Sequence, residues 1–360
     1  MEFQSPLERT VTERLLEDLQ ELPHAHAALV EVNSVRRGVD AEINLNIGHR
    51  RYRLLIEVKK AVYPRDTREA LWQLQDYVRS AGGRDHVIPV LAAESISPGS
   101  KDLLRRENVG YFDMGGSLFL PASEMYVLID KPPHRSFERS VTSVFKGKRA
   151  QVLQVLLHDR DEWFSVKTLA EAASVSPATV SETLMALERF EWLASRGQGP
   201  SKERQLTEPK SLLNEWKKQV QAGAKPTVYR YYAPNVANHD TFLLRMNTAF
   251  EDAGVEYVLT QEAAAQHYAP FLSSLSRVSC RCESAHHAAP ALSTLGAREV
   301  AEGANFTLIE TPSEEGPFMF KERPGPAWLA NPIQVYLDLQ LAGGRAQEAA
   351  EHLRSERIGF

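Results

Sequence analysis

Three side chains near the start of the chain have the types and spacing to do hydrolytic chemistry together: Asp40, Glu57 and Lys59. The stretch GVDAEINLNIGHRRYRLLIEVKK carries them. Gly48-His49 suits a two-residue hairpin turn, with glycine at the first central position as a II′ turn requires. Ile47 then faces Arg50, Leu45 faces Tyr52, and Asp40 lands directly opposite Glu57. Residues opposed in this way hold their Cβ atoms about 4.5–5.5 Å apart, and like charges there destabilise a sheet. Two carboxylates so placed need a cation, a shared proton or nearby bases. A divalent metal is the most economical answer, because carboxylates plus waters suit Mg²⁺ or Mn²⁺. Lys59 lies on the same face two residues beyond Glu57, where it could orient or help deprotonate an attacking water, or stabilise charge on a phosphate.

The elements that must position these groups follow from periodicity. Val39, Ala41, Ile43, Leu45 and Ile47 share one face with Tyr52, Leu54, Ile56 and Val58, while the charges occupy the other. A one-residue slip would bury those charges. Leu7, Val11, Leu15, Leu16 and Leu19 recur at helical spacing over 5–22. Strands are expected over 27–33, 40–47, 51–58 and 86–92, with helices near 67–81 and 99–106 and short strands to Asp130. Strands mixed with helices indicate an α/β or α+β domain over 1–130.

The ordered set of opening helix, Asp40, hairpin and Glu57-Val58-Lys59 resembles the PD-(D/E)xK nuclease superfamily, here as Gly38-Val39-Asp40, sixteen intervening residues, then Glu-Val-Lys. Val39 replaces the motif proline. Glu13 on the opening helix matches an extra acidic residue that many members carry, and Gln73 with Tyr77 forms the Q-x-x-x-Y pair of RecB-like and related exonuclease branches. The resemblance implies a restriction-endonuclease-like fold in which Asp40 and Glu57 hold Mg²⁺ or Mn²⁺, Glu13 supports the ion, Lys59 assists water attack, and Gln73 and Tyr77 position water or the DNA strand. Two other readings stand beside it: a solvated hairpin face, and a nuclease-like fold kept for binding alone.

Residues 131–149 read as a linker (131–146) running into the next domain, with two prolines and six Lys or Arg against the single acid Glu138. Residues 147–218 change to short helices. Ser176 is an N-cap followed by Pro177 at the first helical position, and a hairpin bearing Arg196, Lys202 and Arg204 follows. This region resembles a winged helix-turn-helix. The resemblance implies that its third helix enters the major groove with Ser176, Thr179, Ser181 and Thr183 at base edges, while Arg196, Lys202 and Arg204 hold phosphates. That helix has no Arg, Lys, Asn or Gln before Arg189, so bidentate base reading is weak. A protein-interaction module is the other use of such a fold.

Residues 226–360 mix strands (255–260, 277–283, 305–310, 318–321) with helices over 332–341 and 345–356. The stretches GVEYVLTQEAAAQHYAPF and NPIQVYLDLQLAGGRAQEAAEHL resemble the C-terminal domain of AbiEi-type antitoxins of type IV toxin–antitoxin systems, which join a winged helix to such a domain and repress their own promoters. Glu256 and Asp338 read as structural here. Cys280 and Cys282, with His286 and His287 nearby, offer zinc-ligand types, but C-x-C in an alternating strand puts both thiols on one face and is not a zinc spacing. Gly82-Gly83 and Gly115-Gly116 read as turns, and no P-loop, dinucleotide fingerprint or G-x-S-x-G occurs.

Length and composition bound these readings. The 360 residues predict two or three domains. With 43% hydrophobic and 25% charged residues the composition is that of a globular protein, and the net charge of −5 leaves nucleic-acid contact to local patches. No apolar run reaches the ~18 residues of a membrane span, and the charged N-terminus is not a signal peptide. Two cysteines fit a reducing cytoplasm. The expectation is a cytoplasmic, multidomain α/β and α+β DNA-binding protein with a Mg²⁺-dependent nuclease site. The alternative is a non-catalytic transcriptional regulator or antitoxin; a toxin or other protein partner, and a homodimer, are compatible with either.

Overall fold

The computed structural model describes residues 5–30, 39–80, 86–122, 124–132, 141–272, 275, 277–311 and 316–360. The expected motif residue Gly38, the end of the 27–33 strand, the Gly82-Gly83 turn and the middle of the linker lie outside them. By internal contacts the chain forms two units: Met1–Ser143 with Met185–Glu191, and Val144–Leu184 with Trp192–Phe360. The architecture is mixed α/β, with three sheets among the described residues.

The first unit begins with helix α1 (Pro6–Gln20), started by Ser5, whose hydroxyl accepts from the Glu8 amide at 3.2 Å, and by Pro6 at its first position. Strands β1 (Ala25–Leu29), β2 (Ala41–Ile47) and β3 (Arg50–Val62) follow, then α2 (Pro64–Ser80), β4 (Val87–Ile96) and α3 (Pro98–Arg106). Three further strands, β5 (Gly110–Asp113), β6 (Leu118–Ala122) and β7 (Met125–Ile129), complete a seven-stranded sheet in sequential order. The β3–β4 and β4–β5 pairs are parallel and the others antiparallel.

The sheet is apolar on both faces, as a sheet covered on both sides must be. On one face Val11, Leu15 and Leu19 of α1 pack on Ile43, Leu45, Leu54 and Ile56. On the other, Ala70, Leu71 and Leu74 of α2 and Leu104 of α3 pack on Leu91, Tyr111 and Phe119. The second face is where the β2–β3 charges point. At the turn end Asn44 and Arg51 are exposed, whereas at the far end Glu42 and Glu57 are buried.

The second unit contains α4 (Lys148–His158), β8 (Phe164–Ser165), α5 (Val166–Ala173), α6 (Pro177–Arg189), β9 (Leu193–Arg196) and β10 (Glu203–Leu206), although the end of α6 is counted with the first unit. The three strands pair in the order β8-β10-β9. The β9–β10 tip requires glycine at 197: φ is +75°, and a Cβ there would lie 2.6 Å from the Ser201 carbonyl oxygen. After α7 (Pro209–Ala222) come β11 (Val228–Tyr232), α8 (His239–Asp252), β12 (Tyr257–Thr260), α9 (Gln261–Tyr268), β13 (Val278–Cys282), α10 (Ala289–Thr294), β14 (Arg298–Glu299), β15 (Phe306–Glu310), α11 (Pro332–Ala342) and α12 (Arg345–Leu353). Their five-stranded sheet has the order β12-β13-β15-β11-β14. The strand expected over 318–321 is a turn instead; Phe320 has a φ of +54°, which breaks an extended run. No helix among the described residues is long and apolar enough to cross a membrane.

The Gly48 hairpin sets the register of β2 on β3. Its φ is +56°, and no atom lies within 4 Å of where a Cβ would stand, so the demand for glycine is conformational and not steric crowding. Gly48→Val is therefore expected to lower stability by about 1–2 kcal/mol, the left-handed penalty for a side chain with a Cβ. Urea denaturation of the two proteins measures it.

Candidate functional site

The predicted hairpin register is observed from Ile47↔Arg50 through Leu45↔Tyr52 to Ala41↔Ile56. It stops there, one pair short of Asp40–Glu57. Asp40 sits in a bend: its N–H donates to the Ile56 carbonyl at 3.0 Å, and its Oδ2 accepts from the Val58 N–H at 2.7 Å. The side chain thus takes a β3 amide that the β2 backbone no longer reaches. The expected face-to-face ladder pair is replaced by a carboxylate clamped on the strand beside Glu57. Ladder arithmetic missed this because it carries no information on where pairing ends.

The two acids still act on each other. Burial pushes Asp40 up to about 6; the Val58 hydrogen bond opposes this, the Glu57 and Glu8 charges add to it, and Lys59 counters them. Glu57 is 7% exposed, and Lys59 Nζ lies 2.8 Å from its Oε1. Burial lowers the Lys59 pKa, but the Glu57 hydrogen bond and the charges of Glu57, Asp40 and Glu69 outweigh it, leaving the ammonium above its ordinary range. A lysine held protonated in this way is not a proton acceptor. Of the roles open to it, charge stabilisation and water orientation fit, and deprotonating water does not.

Helix α2 supplies the cover. Burial, followed by the Glu57 and Asp40 charges, raises Tyr77, so its hydroxyl stays a donor. Gln73 lies one turn earlier on the same helix face. Its Oε1 is buried with no hydrogen-bond partner among the described residues, an acceptor awaiting a donor.

Glu13 behaves differently from expectation. It is 52% exposed and pairs with Arg9 at 2.8 Å. The acid of α1 that acts on Asp40 is Glu8. The signal for it was present: Glu8 continues the buried stripe of Val11, Leu15 and Leu19 toward the helix start, whereas Glu13 falls off that stripe.

Among the described residues no group of three or more His, Cys, Asp or Glu side chains is arranged to hold a metal ion. A cation at this site would rest on Asp40 and Glu57, with water and phosphate oxygens completing its shell, which is how Mg²⁺ is commonly held. Two mutually repelling, partly desolvated carboxylates fit that donor chemistry. The cysteines do not fit zinc: both are buried in β13, burial raises both thiols, Cys282 to about 12, and no thiolate forms readily.

The residues expected on DNA divide. Ser176 caps α6, its hydroxyl accepting from the Thr179 N–H at 3.2 Å and lying 2.9 Å from the Thr179 hydroxyl. Ser181 is half-buried. Thr183 is fully buried and donates to the Thr179 carbonyl at 2.7 Å, so it belongs to the core and not to a groove-facing surface. Arg204 is likewise buried, at 8% exposure. Arg196 pairs with Glu203 at 2.7 Å and stacks over Trp163 at 4.3 Å, and Lys202 is half-buried. The expectation failed at Thr183 because helical position 183 falls on the stripe of Val180, Leu184 and Leu187. It failed at Arg204 because strand alternation turns residue 204 inward with Leu206. Compared with known proteins, the chain matches no family model, no curated protein and no solved structure.

Ionising Asp40 is costly in the folded protein. With a folded value raised above the unfolded one, the native state holds the proton longer, so stability falls as pH rises from about 4 through about 6. Asp40→Asn removes that cost. In EDTA the variant is expected to melt at the same temperature as the parent near pH 4 and above it at pH 7, the gap opening across that interval in a thermal-melt series.

Proposed function

We propose that the first unit hydrolyses phosphodiester bonds of DNA with a divalent cation. The observation that carries this reading is the grouping of Asp40, Glu57 and Lys59 at the end of the β2–β3 ladder, with burial and then the Glu57 charge raising Asp40 and the Lys59 ammonium 2.8 Å from Glu57. Asp40 and Glu57 would hold Mg²⁺ or Mn²⁺, which supplies Lewis-acid activation and a more acidic water. Lys59 places a fixed positive charge where negative charge develops on the phosphate. Tyr77 keeps its proton and donates a hydrogen bond; the Gln73 oxygen accepts one from water or substrate. Glu8 adds negative charge that favours a cation at Asp40.

A second reading has its own support in the second unit. The run α4, β8, α5, α6, β9, β10 with its three-stranded sheet is the element order that a helix-and-wing module would need. It supports a non-catalytic DNA-binding regulator or antitoxin. The Arg196–Glu203 pair, the buried Arg204 and the buried Thr183 weaken that reading, because they withdraw charge and hydrogen-bonding groups from the surface it needs.

Plasmid and oligonucleotide degradation with Mg²⁺ or Mn²⁺ separates the two. Cleavage that falls by about a hundredfold or more in both Lys59→Ala and Asp40→Asn supports hydrolysis. Selective DNA retention in gels without any cleavage supports regulation.

Because Asp40 must lose its proton to bind a cation, apparent Mn²⁺ affinity of the intact protein is expected to fall about tenfold per pH unit below pH 6 and to level off above it. Calorimetric titration between pH 5 and pH 8 measures this, and a flat profile would sink the assignment of Asp40 as a ligand.

A further inference from the structure

Strand β3 carries a row of side chains from the Asp40 site back toward the Gly48 turn. By alternation Arg51, Arg53, Leu55, Glu57 and Lys59 share one face of the sheet, and β3 keeps an unbroken register along this stretch, first against β2 and then against β4. At about 3.3 Å per residue, Arg53 lies about 13 Å and Arg51 about 20 Å from Glu57. Cross-strand partners widen the row. Arg51 opposes Asn46, Asn46 opposes His26, and Arg53 opposes Asn44.

This end of the face is open. Helix α1 covers the same three strands from behind, whereas here His26, Asn44 and Arg51 are exposed and Asn46 and Arg53 are half-buried. The side chains of His26, Asn44, Asn46 and Arg51 form no hydrogen bond or ion pair among the described residues. Four adjacent polar groups thus have their hydrogen-bonding capacity unused by the fold.

The charge on this surface has one sign. Glu42 is its carboxylate nearest the turn; it is buried and lies 3.6 Å from Arg53, which balances it. Between the turn and Glu57, strands β1 to β3 place no exposed carboxylate on this face, although acids outnumber Lys and Arg by 47 to 42 in the whole chain. The Arg51 guanidinium is left uncompensated among neutral hydrogen-bonding side chains, and such a surface is complementary to a phosphodiester backbone. The arginines lie along a single β-strand, so the row follows one nucleic-acid strand and not the two backbones of a duplex.

We infer that the open face of β1–β3 is a track for one DNA strand, whose phosphates meet Arg51 with Asn46, Asn44 and His26 beside it, and which leads to the scissile bond at Glu57 and Lys59. The destination of the strand rests on the hydrolytic reading; the track itself does not. A stacked strand rises about 3.4 Å per nucleotide, so Arg51 meets the substrate about six nucleotides from the cleaved bond. Contacts of this kind go to the backbone, so single strands of any sequence bind.

The test measures binding and cleavage separately on the full chain. Labelled oligothymidylates of about 4, 8 and 16 nucleotides, lengths that bracket the track, are titrated by anisotropy in EDTA at increasing salt. Arg51→Ala is expected to weaken the two longer oligomers about fivefold at low salt and to leave the shortest unchanged. It also lowers the slope of log affinity against log salt by about 0.7, the value of one phosphate contact on a single strand. Arg51→Lys restores that slope, which a merely structural role would not require. An Asn44→Cys protein carries a thiol-linked fluorophore at one place, because Cys280 and Cys282 are buried, and its emission is expected to change when the longer oligomers bind. With Mn²⁺ present, Arg51→Ala raises KM and leaves kcat unaltered, as loss of uniform binding does. An unchanged salt slope in Arg51→Ala, or an Asn44 label blind to the oligomer, overturns the track even where Mn²⁺ supports cleavage. Arg51-dependent binding without cleavage upholds the track and overturns the hydrolytic reading instead.

Discussion

The first unit depends on the burial of two acids at the end of one hairpin. Asp40 and Glu57 are both drawn away from water, and burial first, then the Glu57 charge, makes Asp40 harder to ionise. The fold answers with three devices. The Val58 amide donates to Asp40, the Lys59 ammonium pairs with Glu57, and Tyr77 covers the two acids without adding a third. Two acids kept this close and partly desolvated are the electrostatic condition in which a doubly charged cation gains most.

The same unit shows how a sheet with two covered faces can carry charge. Antiparallel alternation sends the β2–β3 charges to a single face, and α2 then covers only part of it. Near the turn the polar residues stay wet. Near the Asp40 end they are enclosed, and burial there shifts Asp40 upward. The graded cover, more than the motif itself, makes one end of the hairpin chemically distinct.

In the second unit the corresponding feature is Arg281 with Asp338. There the carboxylate is fully coordinated by donors and the interaction is neutral overall. Asp40 and Asp338 are both desolvated aspartates, yet their acceptor capacity is used differently. Asp338 has all of it filled by side chains of its own domain, whereas Asp40 accepts from the Val58 N–H on Oδ2. The first positions a neighbour; the second is suited to an external cation.

The sequence by itself determined the mixed α/β class, the opening helix, the hairpin at Gly48 and its register to within one pair, because period-2 and period-3.6 patterns and a glycine at a positive-φ turn are local properties. It also placed Asp40, Glu57, Lys59 and Tyr77 within one neighbourhood. Glu8, Thr183 and Arg204 each stood on a stripe or alternation already legible in the sequence, whereas only the tertiary structure decided that the ladder ends at Ala41 and that 318–321 turns instead of extending. It alone joined Arg281 to Asp338 across 57 positions. Where a strand stops pairing, and which residues far apart in the chain meet, are set by packing between distant segments, and no local pattern encodes that.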